Sequence, residues 1–295
     1  MSIQLDFTSK PAIAGAMFKA LVLPRKGFDA KVGLPEINAS WTGAQADKSA
    51  LDEYLKTLDL PQQATLPVLY PHVMAGAMHM HMLSHKAFPI RLLGALHLKN
   101  RITQLKAIDV NASFDIKSAM ADFRLVAKGV EFDFTTDVFV DGEKVWYEVS
   151  TYFMAGRFGG KENPSTESSF ELSALSNPVA GKDWYLPANR GKVYAKITGD
   201  YNPIHTSKHL AKLFGFKRDI AHGFGVLAQG IENVAAIETA GGLDKALQVD
   251  VIFKGPVFLE NKVTLKQDTS QDANRFDMYC GDNAKPNICA AVLAV

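Results

Sequence analysis

Residues 155–182 constrain this chain more than any other stretch, because they separate two patterned halves. They are rich in Gly, Ser, Asn and Pro and have no apolar periodicity, which is a linker composition. A chain of 295 residues could be one large domain or two of ordinary size, and this stretch separates two halves. The halves share an order of elements. In the first, an apolar helical run over residues 73–86 follows Leu69-Tyr70-Pro71-His72. Strand-like segments come next, at 96–105 and 107–114. A hairpin signal then appears, with alternation over 132–140 and 145–153 around Asp141-Gly142. In the second, a helical run over 226–237 is followed by strand-like segments at 247–251, 257–265, 276–280 and 287–295. His72 and His222 stand at matching points before their helices, as a degenerate duplication would leave them. Periodicity alone therefore gives an α+β fold of two similar units.

Bulk properties exclude several classes. A formal charge of +1 and the lack of a basic tail offer no footprint for nucleic acid. The apolar patch at 12–23 is interrupted by Lys19 and is too short to span a bilayer. No targeting segment is visible, and Leu293-Ala294-Val295 is not a peroxisomal address. Cys280 and Cys289 are expected as two buried free thiols, although a hairpin could bring them together. These features fit the cytoplasm.

Chemistry concentrates in Tyr194-Ala195-Lys196-Ile197-Thr198-Gly199-Asp200-Tyr201-Asn202-Pro203-Ile204-His205. A strand-like run leads into a turn stiffened by Pro203, which also pushes Asn202 towards extended geometry. Such a turn can hold a carboxylate and an imidazole at a defined separation, as paired acid/base work requires. An ordinary turn with self-bonded Asp200 and Asn202 has the same residues. Thr206 is expected to cap a short helix closed by Gly215. Ile220-Ala221-His222-Gly223 then opens the long helix. A glycine there either allows close packing or presents an unpaired amide to developing negative charge.

Together these segments resemble the hydratase 2 motif of the MaoC-like dehydratases, the (R)-specific enoyl-CoA hydratases. Tyr194, Gly199, Asp200, Asn202, Pro203, His205 and Ala211 fill the motif positions, and Gly215-Phe216 and Ile220 to Gly223 match the downstream elements. The detailed match covers roughly residues 192–230. The resemblance implies a double hot dog fold, in which each unit wraps an antiparallel sheet around a long helix. Its expected divisions are a catalytically silent unit at 1–154, the linker at 155–182 and a catalytic unit at 183–295. The silent unit lacks the Asp-x-Asn-Pro-x-His turn, and Val73 stands where the other half has Gly223. It would help to shape an acyl tunnel.

The activity implied is reversible hydration of trans-2-enoyl thioesters to (R)-3-hydroxyacyl thioesters, carried on coenzyme A or an acyl carrier protein. Asp200 and His205 would hold the water, Gly223 would bind the thioester oxyanion, and Asn202 would brace the turn or the water. No cofactor or metal is implied, and a homodimer is compatible. A non-catalytic acyl-thioester-binding subunit and a hot dog thioesterase are the alternatives. Two other clusters stand out. His79, His81 and His85 share the first long helix with Met74, Met78, Met80 and Met82, which favours an adaptable apolar wall over a metal site. Lys208, Lys212, Lys217 and Arg218 could meet phosphates of the substrate carrier or be merely solvated.

Overall fold

A computed structural model describes residues 2–22, 24–90, 95–158, 170–234, 242–268 and 274–295. The chain divides into two compact units that interleave in sequence. The first comprises Met1–Gln45, Tyr70–Ile102 and Asn111–Phe170; the second comprises Ala46–Leu69, Thr103–Val110 and Glu171–Val295.

In the first unit, β1 (Ile3–Phe7) runs parallel to β2 (Ile37–Gln45), and β2 pairs antiparallel with β4 (Ser113–Val126). The antiparallel meander continues through β5 (Gly129–Val140) and β6 (Glu143–Ala155). Beside β6 lies β3 (Ala95–Gln104), whose residues up to Ile102 belong to this unit. The β5–β6 turn is the one expected, with Asp141 and Gly142 at φ 50° and 81°, as a two-residue hairpin requires. Against the sheet lies α3 (Tyr70–Ser84), and α1 (Ile13–Val22) packs on α3. Helix α3 is buried on several sides, by Met74, Ala75, Met78, His79 and Met82 among others, so it is the helix the sheet wraps.

A polar network sits inside this apolar setting. The fully buried Glu148 carboxylate accepts from His72 Nδ1 at 2.8 Å and from the Asn100 amide at 2.9 Å. His79 Nε2 lies 2.9 Å from Thr136 Oγ1, and His97 stacks on Tyr152 at 4.7 Å. His81 instead reaches the Ala12 carbonyl, and His85 accepts from the Ala87 amide. The helix histidines thus serve separate partners, as a packed wall requires.

The second unit begins with α2 (Lys48–Leu58), capped by the Asp47 carboxylate on the Ala50 amide at 2.8 Å. Its strands are β7 (Val179–Leu186), β8 (Leu247–Phe253), β9 (Asn261–Asp268), β10 (Asn274–Cys280) and β11 (Ile288–Ala294). They form an antiparallel order β8–β11–β10–β9–β7. Buried helix α7 (Gly223–Glu232) approaches β10 so closely that a Cβ on Gly230 would stand 2.6 Å from Met278 Sδ. Cys280 and Cys289 are buried free thiols.

Three local expectations need correction. The run before Asp200 is a helix, α4 (Arg190–Thr198), not a strand. Gly191, Tyr194 and Ala195 bury one helical face, and this packing overrides the β-branched Val193 and Ile197. Residues 107–112 make only an isolated bridge between Thr65 and Asp109, and the strand begins at Ser113. Strand β9 begins at Asn261 rather than at 257, because Glu260 has a left-handed φ of 52°. The expected linker contains β7 from Val179 onward, while residues 159–169 lie outside the described residues, as do 235–237 of the expected long helix.

Candidate active site

The motif turn is built from short-range bonds. Helix α4 stops at Gly199, whose φ of 78° turns the chain, and its amide donates to the Ala195 carbonyl at 2.7 Å. Asp200 Oδ1 accepts from the Asn202 amide at 3.1 Å, and Asn202 Oδ1 accepts from the Ile204 amide at 3.3 Å. Asn202 therefore caps α5 (Pro203–Thr206), with Pro203 in the first helical position, where its missing N–H costs nothing. The next helix, α6 (Lys208–Leu213), is capped by Ser207, not Thr206.

His205, on α5, is fixed from both sides. Its Nδ1–H donates to the Ile220 carbonyl at 2.9 Å, which leaves Nε2 bare. That nitrogen faces Asp200 Oδ2 at 4.0 Å. Its backbone carbonyl presses on α4, where a Cβ at Gly191 would stand 1.9 Å from it. Only glycine fits there.

A third group, indicated by sequence only as a helix-entrance residue, completes the cluster. His222 stacks on His205 with centroids 3.8 Å apart and planes 25° from parallel. Its Nε2–H donates to the Asp200 backbone carbonyl at 3.0 Å and lies 3.6 Å from Oδ2. Burial, and then the adjoining His205, push its pKa down to about 3, so it is neutral. Tyr194 packs against its ring at 4.8 Å and against Tyr54 of α2 at 6.2 Å. Beyond them lies a narrow recess lined by Leu58, Arg190, Tyr194, His222, Val226 and Gln229 among others.

Gly223 follows His222 directly as the first residue of α7, so its amide has no acceptor within the helix. A Cβ there would meet the Phe253 ring at 2.6 Å. The glycine thus serves close packing and presents an amide beside His222. The four residues singled out in sequence, Asp200, Asn202, His205 and Gly223, therefore lie in and around one cluster. The Asn202 side chain holds the Ile204 amide, while its own backbone N–H holds the Asp200 carboxylate.

Among the described residues, Asp200, His205 and His222 alone bring three donor groups within 4.8 Å of one another. The geometry suits proton transfer better than a metal. Lone pairs of stacked imidazoles lie in near-parallel planes and do not converge, and His222 Nε2 is occupied by its proton. A carboxylate oxygen and a bare imidazole nitrogen 4.0 Å apart can instead each accept a hydrogen from one water at about 2.8 Å.

The MaoC like domain family model matches residues 176–288. A 3-hydroxyacyl-thioester dehydratase X from Mycobacterium tuberculosis is 29% identical over 215 residues, covering 72% of this chain and 73% of that protein. The crystal structure of HtdX from Mycobacterium tuberculosis superposes with a TM-score of 0.73 at 23% identity, over 88% of this chain and all of that one. A further Mycobacterium tuberculosis protein, described as a double hotdog fold, superposes with a TM-score of 0.54 at 9% identity, over 86% and 95%. The fold of both units is thus the hot dog fold, and residues 176–288 carry the match to the MaoC like domain.

Proposed function

We propose that this protein catalyses reversible syn hydration of a trans-2-enoyl thioester to an (R)-3-hydroxyacyl thioester. The observation that carries the reading is the 4.0 Å separation of Asp200 Oδ2 and His205 Nε2, two acceptors that one water can bridge from the side. A water bridging them gives up a proton as its oxygen bonds to C3. The pair, acting as one titrating unit, returns a proton to C2, so one water is consumed per thioester. Negative charge that builds on the thioester oxygen falls to the Gly223 amide, at the N-terminal end of α7. A donor of that kind is worth about 3 kcal/mol. Similarity to a 3-hydroxyacyl-thioester dehydratase supports the substrate class, and the hydratase 2 motif supports the (R) stereochemistry.

The first unit, without the Asp-x-Asn-Pro-x-His turn, takes no part in the chemistry on this reading. Among the described residues, no helix is long and apolar enough to cross a membrane. The two buried free thiols support a reducing compartment such as the cytoplasm.

The test is loss of enoyl absorbance with crotonyl-CoA, followed by chiral analysis of the product. Asp200→Asn and His205→Ala should each lower kcat by at least about a hundredfold, with KM little changed and the fold intact. Near-normal turnover by either pure variant, or an (S) product, overturns the assignment.

A further inference from the structure

Residues 201–218 contain Lys208, Lys212, Lys217 and Arg218 and no Asp or Glu, in a chain whose formal charge is only +1. The surface they form is unusual in a second way. Helix α6 buries Ala211 alone, while Leu210, Leu213 and Phe214 are 43%, 78% and 37% exposed. At i, i+3 and i+4 these three make one apolar stripe, and Lys208 and Lys212 at i and i+4 make a basic stripe beside it. A helix packed only against its own core would turn such a stripe inward. Arg218 is already neutralised by Asp219 and Glu260. Lys208 acts on Glu260 through space, and no ion pair is formed by Lys208, Lys212 or Lys217 among the described residues. Three cations and three large apolar side chains thus face solvent a few residues beyond His205.

We infer that this face docks an acidic carrier protein bearing a phosphopantetheine arm, which delivers the acyl thioester to Asp200 and His205. The inference rests on the hydration reading and specifies its substrate carrier. Carboxylates on the partner would meet the lysines, and apolar side chains would cover Leu210, Leu213 and Phe214. The phosphates of a nucleotide would satisfy the charges but leave most of the apolar stripe in water. A second copy of this chain, meeting the same patch across a two-fold axis, would set lysine against lysine.

The test uses the full chain and the exposed double variant Lys208→Glu/Lys212→Glu, with Leu213→Asp as a second, uncharged-to-charged probe. The same crotonyl group is presented on an acyl carrier protein, on coenzyme A and on N-acetylcysteamine, and carrier-protein affinity is measured separately by titration calorimetry. Expected is a loss of ten- to a hundredfold in affinity and in kcat/KM for the carrier-protein substrate, chiefly through KM. The N-acetylcysteamine and CoA thioesters should change less than twofold, and wild-type binding to the carrier should weaken as salt rises. Unchanged carrier-protein binding in the variants overturns the inference, and so does an equal loss with the CoA thioester, which would assign the lysines to nucleotide phosphates. Wild-type binding lost in the variants, without hydration of any thioester, sustains the docking face and sinks the hydration reading instead.

Discussion

His222 lies face to face with His205, ring centroids 3.8 Å apart, while its Nε2–H holds the Asp200 backbone carbonyl at 3.0 Å. One neutral imidazole therefore braces both members of the proposed acid/base pair. Its own ionisation near pH 3 keeps it from placing a positive charge against His205 at working pH. His222→Phe keeps the ring face and loses the donor. We expect kcat to fall about tenfold or more, the value of one hydrogen bond, with KM little affected. Because His222 is neutral, the kcat–pH profile of the variant should retain the same number of ionisations between pH 5 and 9. Loss of an ionisation would mean that His222 itself carries a proton in the reaction.

Gly223 packs against Phe253 and, on the proposed mechanism, also offers its amide to the thioester oxygen, and a double variant separates the two duties. Gly223→Ala retains the amide but drives a methyl group into the Phe253 ring, and should lower both stability and activity by overpacking, at a cost of about 2 kcal/mol. Adding Phe253→Leu makes room. If the amide is the chemically useful atom, the pair should recover most of the lost turnover, as measured with crotonyl-CoA and urea unfolding.

At Gly191 no such relief exists, because the obstacle is the His205 carbonyl itself. Gly191→Ala should shift the backbone that carries His205. We expect destabilisation of about 2 kcal/mol in urea unfolding and a fall in kcat well beyond that of an exposed alanine control.

The buried network of the first unit predicts an acid-labile fold. Burial lowers His79 to about 4, and burial followed by His72 lowers His97 to about 3, from 6.5 in an open chain. Between those values the unfolded chain binds more protons, so stability falls as pH drops below 6.5. Burial alone would raise Glu148, but His72, His79 and Asn100 outweigh it and hold the carboxyl at about 2 against an ordinary 4.5. Its contribution is complete above 4.5 and is lost as pH falls through about 2. All three act in one direction. Thermal midpoints should be highest above pH 6.5 and decline continuously towards pH 4. His79→Gln should flatten the decline between pH 6 and 4; an unchanged slope would show that His79 titrates normally.

Cys280 and Cys289 should be inert in the folded protein. Burial, reinforced by Asp277, pushes Cys289 up to about 12, and burial raises Cys280 as well. Little thiolate is then present at pH 8. A colourimetric thiol reagent should react with both only at the rate of unfolding, and fast labelling of either without denaturant would contradict the burial described.

The motif turn was legible because its bonds are local. Asp200 and Asn202 are each tied to an amide two residues on, and such ties can be read from spacing. The helical nature of residues 190–198 was not, since it depends on Tyr194 and Ala195 burying a face against other elements. The bracing role of His222 was hidden for the same reason: its partners are 17 and 22 positions away and meet only after α6 has folded back. His72 and Glu148 are 76 positions apart, so their pairing leaves no trace in local pattern. Paired strands with marked alternation, such as β5 and β6 around Asp141-Gly142, were visible to within three residues at each end.

Tyr54 and Leu58, from a helix near the start of the chain, line the packing behind Tyr194 and Gly225. The second unit is therefore assembled from sequence made early and sequence made last. During synthesis on a ribosome, the stretch Ala46–Leu69 must wait, unburied, until the final strands emerge. A fragment starting at residue 171 would lack that piece altogether, so cutting the gene at the apparent midpoint should yield an incomplete, aggregation-prone product.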